Sequence, residues 1–388
     1  MIRKTALLVV VSGLAASASG QAPGDILFAT NDTSGGSDTI QLLSVATLTP
    51  NLLVSFPAGP ESTQRLISGI AQGPSGEFYF GNNPTPVLDP STATLLRVDN
   101  IFDAGTRTVS TFFSGDPVQG PEQLAYDSVT NNLLIANNPG SAPVLSLRQE
   151  GILGINVSSP VGASVVVQEP PFTDPRPRPN SFNLIAPDPL RVGNFYVGTV
   201  NGGIDDNPSV NPFQDPEASV IHRLEMNNPA DPTDVTFTPV IDLSASITGL
   251  DQTLNFIRGI APGDNGNLYV AEQTTRSIYE VVLDGNGDYV SISKILDLDA
   301  ELDVVNTGGD LYQPFGIIFN EFTGKLNYIE RNFTAGDGSG RIVELNLDGT
   351  GRTVLLDGIS PSLLYAVPAP SALALIGLGG LAAARRRR

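Results

Sequence analysis

His222 is the only histidine in the chain, and there is no cysteine. Those two facts remove histidine pairs, thiolate metal sites, disulfides and cysteine nucleophiles together, and any Ser-His-Asp triad would have to run through one residue. No Gly-x-Ser-x-Gly turn accompanies it. The segment Asp284-Gly285-Asn286-Gly287-Asp288 spaces its side-chain oxygens like the first half of a calcium loop, but Ile295 stands where an EF-hand loop needs its bidentate glutamate. It reads first as a hairpin turn, with a weak Ca²⁺ site as the alternative, and Asp205-Asp206 reads as solvated loop. No cofactor or metal ligand set is expected from these residues.

Charge narrows the partners. The chain carries 21 basic and 40 acidic residues. The two terminal segments, 1–22 and 367–388, contain six of the basic residues and none of the acidic ones, so the body between them has a net charge of −25. Such a surface repels phosphate polymers, which excludes nucleic acid as a partner.

The elements that must position any site are short strands. Glycine (40) and proline (31) are spread through the middle, as suits an all-β chain of many turns. Two stretches align without a gap: Gly69-Ile70-Ala71 through Gly76 to Phe78-Tyr79-Phe80-Gly81, and Gly259-Ile260-Ala261 through Gly266 to Leu268-Tyr269-Val270-Ala271. Each spells an apolar strand, a turn able to supply positive φ, and a second apolar strand. Similar hairpins follow from Gln123, Asn183 and Gly316. A third strand recurs at Ile278 to Leu283 and Ile342 to Leu347, and a fourth at Tyr289 to Ile295 and Thr353 to Leu356. Four strands repeated in tandem make propeller blades. In this alignment His222 falls on Tyr279 and Val343, a third-strand position, so it reads as structural.

A sixth unit starts at Gly24, already at its second strand, and Ser362-Leu363-Leu364-Tyr365-Ala366 has the character of the missing first strand. Pairing the two closes a six-bladed ring and leaves no open edge. The Gly-Ile-Ala hairpin with its later Leu-Asp-Gly turn resembles the NHL-repeat and gluconolactonase-like six-bladed propellers over roughly Gly24 to Ala366. That resemblance implies a central site, which in gluconolactonase-like relatives holds a divalent cation with a glutamate, asparagines and an aspartate. By repeat position the loops entering the innermost strands here carry Arg65, Glu122, Asn180, Arg258 and Gln313, which are expected to line a channel mouth and bind ligand. With two arginines among them, a carboxylate or uronic sugar suits the set better than a cation. Polar, proline-rich stretches at 170–179, 201–216 and 227–234 are expected to be long loops.

The two ends are addresses. Arg3-Lys4, the apolar run Ala6 to Leu14 and Ala16-Ser17-Ala18 fit a secretory signal over residues 1–22. At the other end stand Val367-Pro368-Ala369-Pro370-Ser371, an uncharged run from Ala372 to Ala384, and Arg385 to Arg388. This tripartite segment resembles the PEP-CTERM sorting signal, with Ala369 where the family has glutamate. About 14 apolar residues at a rise of 1.5 Å span roughly 21 Å, short of the ~30 Å hydrocarbon core, and the arginines hold the tail on the cytoplasmic side. The resemblance implies a transient inner-membrane anchor, cleavage near Pro368 to Pro370 by an exosortase-like transpeptidase, and delivery to the outer surface or an exopolysaccharide matrix. The expected organisation is therefore a signal peptide (1–22), a propeller (23–366) and a sorting segment (367–388). The expected function is non-catalytic binding or structural support, through polysaccharide or surface proteins, with a metal-dependent gluconolactonase-like hydrolase as the alternative.

Overall fold

The computed structural model describes residues 21–31, 38–56, 64–85, 93–138, 151–168, 181–200, 219–243, 247, 250, 253–302, 312–332 and 339–368. Residues 1–20 of the expected signal peptide, the loops at 170–179 and 201–216, Asp205-Asp206, Asn180 and the tail from Ala369 lie outside them. No helix among the described residues is long and apolar enough to cross a membrane.

Six four-stranded antiparallel sheets form the blades. Blade one contains β1 (Ile26–Thr30), β2 (Asp38–Ser44) and β3 (Thr49–Phe56). Blade two is β4 (Gln64–Gln72), β5 (Phe78–Thr85), β6 (Thr94–Asp99) and β7 (Thr108–Ser114). Blade three is β8 (Pro121–Asp127), β9 (Asn132–Asn137), β10 (Gly151–Asn156) and β11 (Ser164–Gln168). Blade four is β12 (Ser181–Pro187), β13 (Asn194–Val200), β14 (Val220–Asn228) and β15 (Asp231–Asp242). Blade five is β16 (Ile257–Pro262), β17 (Leu268–Glu272), β18 (Ser277–Leu283) and β19 (Tyr289–Asp297), followed by the one-turn helix α1 (Leu298–Glu301). Blade six is β20 (Gln313–Asn320), β21 (Lys325–Arg331), β22 (Gly340–Leu345) and β23 (Thr353–Ile359).

The last strand, β24 (Pro361–Ala366), returns to blade one and pairs with β1, with Leu27 opposite Tyr365, Phe28 opposite Leu364 and Ala29 opposite Leu363. Chain ends 300 and more residues apart thus share one sheet, as the missing first strand of the Gly24 unit requires. Leu363 and Val367 join the core between blades one and two, while Leu364 joins the core between blades six and one. Each of the six apolar cores sits between two neighbouring blades, so every blade depends on both neighbours for burial.

The glycines of the repeated hairpin have two separate causes. Gly76 and Gly266 close their turns at φ of 89° and 83°. Gly69 and Gly259 instead let innermost strands approach: a Cβ on Gly69 would stand 2.5 Å from Gln123 Cα, and one on Gly259 2.8 Å from Ile317 N. The stretch 227–234 is not a long loop. β14 and β15 continue through it and pair as far as Asn228 opposite Asp231, because Asn228 Oδ1 accepts from Ala230 N (3.0 Å) and closes a tight turn.

Candidate functional site

The register of the innermost strands defines the site. In every blade the pairing between the innermost strand and its neighbour slips at one place. It slips between Ile67 and Ile70, Pro121 and Gln123, Phe182 and Leu184, Ile257 and Gly259, and Pro314 and Ile317, and opposite Ala29 and Thr30 in blade one. The residues left out of the ladder are Ser68, Glu122, Asn183, Arg258, Phe315 and Ser362, the first and fifth together with the glycine that follows. A bulge re-aims the extra side chain. All six line a central channel of about 710 Å³, each from a different blade.

Arg258 is the best-braced member. Its Nε donates to Gln273 Oε1 (2.7 Å), and Gln273 Nε2 donates to Gln313 Oε1 (2.7 Å). Its guanidinium lies 3.9 Å from the Phe256 ring centroid and 5.3 Å from that of Phe315, while Arg331 approaches Phe315 at 4.5 Å. Burial lowers the Arg258 pKa to about 10, Glu122 works against that shift and Arg331 adds to it. Burial likewise raises the Glu122 carboxyl above its ordinary value, and Arg258 partly offsets this. The two groups therefore act on each other through a poorly solvated lumen.

The smaller members are held by backbone. Ser68 donates to the Pro121 carbonyl, Ser362 Oγ donates to Ile67 O (2.9 Å), and Asn183 Oδ1 accepts from Asn138 Nδ2 (2.8 Å). Lower in the same channel Tyr365 donates to Gln72 Oε1 (3.3 Å), and burial followed by the charge of Glu321 pushes its hydroxyl above the ordinary tyrosine range.

Of the five residues expected at the channel mouth, Glu122 and Arg258 lie on this ring. Gln313 lies two positions before Phe315 and braces Arg258 through Gln273. Arg65 falls in β4 opposite Pro84, three positions before Ser68. Ser68, Asn183, Phe315, Ser362 and Arg331 were not anticipated. The signal for three of the ring positions was present in the sequence: Ser68, Arg258 and Phe315 each stand immediately before the glycine of a Gly-Ile step.

The other sequence candidates sit in strand and turn geometry. His222 pairs with Val197 as Tyr279 pairs with Val270 and Val343 with Tyr328. It stacks on Phe237 with centroids 4.4 Å apart, and burial lowers its pKa to about 4. In the Asp284 turn, Asp284 Oδ1 accepts from Asn286 N (2.8 Å) and Asp288 N (3.0 Å). Arg223 from the neighbouring blade donates to Asn286 O (2.7 Å) and Asp288 Oδ1 (3.2 Å), so this turn already faces a cation. Among the described residues no three histidine, aspartate or glutamate side chains gather as a metal cluster.

Comparisons with known proteins bear on the tail and on the fold. Residues 366–388 match the family described as the PEP-CTERM protein-sorting motif, beginning one residue before Val367. No curated protein matches the chain. Among solved structures, a proposed TolB from Agrobacterium tumefaciens is 11% identical with a TM-score of 0.51, covering 88% of this chain and 91% of that one. A protein from Lactobacillus plantarum is 13% identical with a TM-score of 0.50, covering 88% and 99%. A gluconolactonase from Xanthomonas campestris is 14% identical with a TM-score of 0.49, covering 91% and 94%. Likeness at these identities concerns the fold: this is an all-β, six-bladed propeller carrying a PEP-CTERM sorting motif at its C-terminus.

Proposed function

We propose that the chain is an exported, exosortase-sorted propeller that works as a non-catalytic binding module, with the bulge ring as its binding site. The observation that carries the reading is the ring itself: six blades turn six different side chains into one lumen, and none is the activated nucleophile of a hydrolase. The sorting motif supports export, and an exosortase-like transpeptidase is then its processing partner. The tail would hold the body at the inner membrane until it is cut, and the outer surface or polysaccharide matrix is the destination.

The hydrolase alternative would need a divalent cation at the ring. These residues do not fit one. The ring supplies a single carboxylate, Glu122, and sets the Arg258 guanidinium in the same layer, where its charge opposes a bound cation. The experiment is a lactone-hydrolysis assay of the purified protein with Ca²⁺, Mn²⁺ or Zn²⁺. The expected result is no turnover above buffer. Metal-dependent turnover that is lost in Glu122→Gln would establish the hydrolase instead.

A further inference from the structure

We propose that the bulge ring recognises a sugar carboxylate, a uronic-acid residue whose carboxylate is held by Arg258 and whose hydroxyls meet Asn183, Glu122 and the ring serines. The proposal rests on the reading of the channel as a binding site and names its ligand class.

The first argument is the state of Arg258. Its Nε is committed to Gln273, its plane is fixed over Phe256, and among the described residues neither Nη1 nor Nη2 has a hydrogen-bond partner. The side chain lines the lumen. A guanidinium locked at one edge, with its remaining donors turned to a cavity, is already arranged for a planar two-oxygen acceptor. A carboxylate fills that role with two parallel bonds, and little ordering is left for the ligand to impose.

The second argument is electrostatic. Arg258 and Arg331 approach the same Phe315 ring at 5.3 and 4.5 Å and repel each other. An anion between them and the lumen relieves that repulsion. An acidic protein of net charge −19 otherwise repels anions, so Arg258, turned into the channel with two donors to spare, makes its side of the lumen the place where one is welcome.

The third argument is the rest of the ring. Asn183 uses its Oδ1 for Asn138, and its Nδ2 has no partner among the described residues. Ser68 and Ser362 spend their protons on backbone carbonyls and keep oxygen lone pairs. Glu122 adds a carboxyl across the lumen. A donor amide, two acceptor hydroxyls and a carboxyl suit a polyhydroxylated body better than an apolar one. The channel volume of about 710 Å³ is in the range of small-molecule sites. A zwitterionic amino acid would also match Arg258 and Glu122, but its ammonium would add positive charge beside two guanidiniums.

The test uses the full chain and ligand-observed saturation-transfer NMR, with glucuronate, galacturonate, a galacturonate oligomer, glucose and glycine as probes. Both hexuronates are expected to bind, with glucose and glycine weaker by about tenfold or more, as loss of a charge-assisted bidentate contact implies. Arg258→Gln should abolish the difference between glucuronate and glucose, and Arg258→Lys should restore part of it. Should Arg258→Gln fail to fold, Asn183→Ala is expected to weaken both hexuronates while the melting temperature holds. The oligomer separates sources: equal or better binding than the monomer points to polysaccharide, and monomer-only binding to a free sugar acid. No hexuronate binding, equal binding of glucose, or preference for glycine overturns the carboxylate assignment. If glucose or glycine then binds and Asn183→Ala weakens it, the channel remains the binding site and only its ligand class is wrong. Hexuronate binding that survives both Arg258→Gln and Asn183→Ala places the site elsewhere and overturns both.

Discussion

Glu122 and Arg258 occupy the same register position two blades apart, each the single residue that its innermost strand leaves unpaired against the second strand. Both side chains line the lumen because of that shared slip, not because of closeness in sequence, and each shifts the other's protonation.

The pair should therefore be energetically coupled. A double-mutant cycle with Glu122→Gln and Arg258→Gln, read by denaturant unfolding, is expected to give a favourable coupling of about 1 kcal/mol. Strictly additive effects would mean that the two groups do not sense each other.

His222 should affect stability through pH and contribute nothing to chemistry. Its folded pKa is lowered from 6.5 to about 4, so the unfolded chain takes up the proton first as pH falls through that interval. Stability from this group is complete above pH 6.5 and is lost toward pH 4, by an amount on the order of 3 kcal/mol. His222→Phe removes the titration and also a buried Nδ1 that has no partner among the described residues. Melting curves of the two proteins should separate progressively below pH 6.5, with the variant the more stable, and parallel curves would contradict the assignment.

Blade six contains a buried ion pair on which its second strand depends. Glu330 accepts from Arg352 Nε (2.9 Å), Arg352 Nη2 (2.7 Å) and Tyr328 Oη (2.7 Å), and its side chain is fully buried. Arg352→Met should leave that carboxylate with weaker partners and cost about 3 kcal/mol, with little dependence on salt. A loss below about 1 kcal/mol, of the size typical for exposed pairs, would mean that water reaches Glu330.

Ring closure should be worth several kilocalories. Leu363 and Leu364 point to different inter-blade cores and are 7% and 6% exposed. Leu364→Ala should cost about 2–5 kcal/mol. A chain ending at Pro361 should melt well below one ending at Ala366, since it also loses the β1–β24 ladder. Equal melting temperatures would show that β24 is dispensable to the ring.

Much of the fold was legible because blades repeat. The Gly-Ile-Ala hairpins and the third strands at Ile278 and Ile342 recur along the chain, and the unit at Gly24, which begins at its second strand, points to Ser362 to Ala366 as its partner, the pairing that the structure shows. The site was legible only in part. Repeat position leads to Glu122 and Arg258, which lie on the bulge ring, but in three other blades to Arg65, Asn180 and Gln313 instead of the ring residues Ser68, Asn183 and Phe315. Arg65, Asn180 and Gln313 stand two or three residues before the bulge positions of their blades, and composition carries no mark of a bulge except the glycine after Ser68, Arg258 and Phe315. The stretch 227–234 was misread because its polar residues belong to an exposed hairpin tip, where strand residues need bury little.

The central claim is that a closed propeller is released from a membrane tail by a cut just beyond its last strand. Val367 marks that boundary: it is fully buried, its N–H donates to Asp25 O (2.9 Å), and its carbonyl accepts from Gly24 N (3.3 Å). The direct measurement is the intact mass of the protein recovered from the outer-surface or matrix fraction of its own cells. The account predicts a C-terminus between Val367 and Pro370, with Arg385 to Arg388 gone and β24 retained. A surface protein that still carries all of residues 371–388 would contradict it.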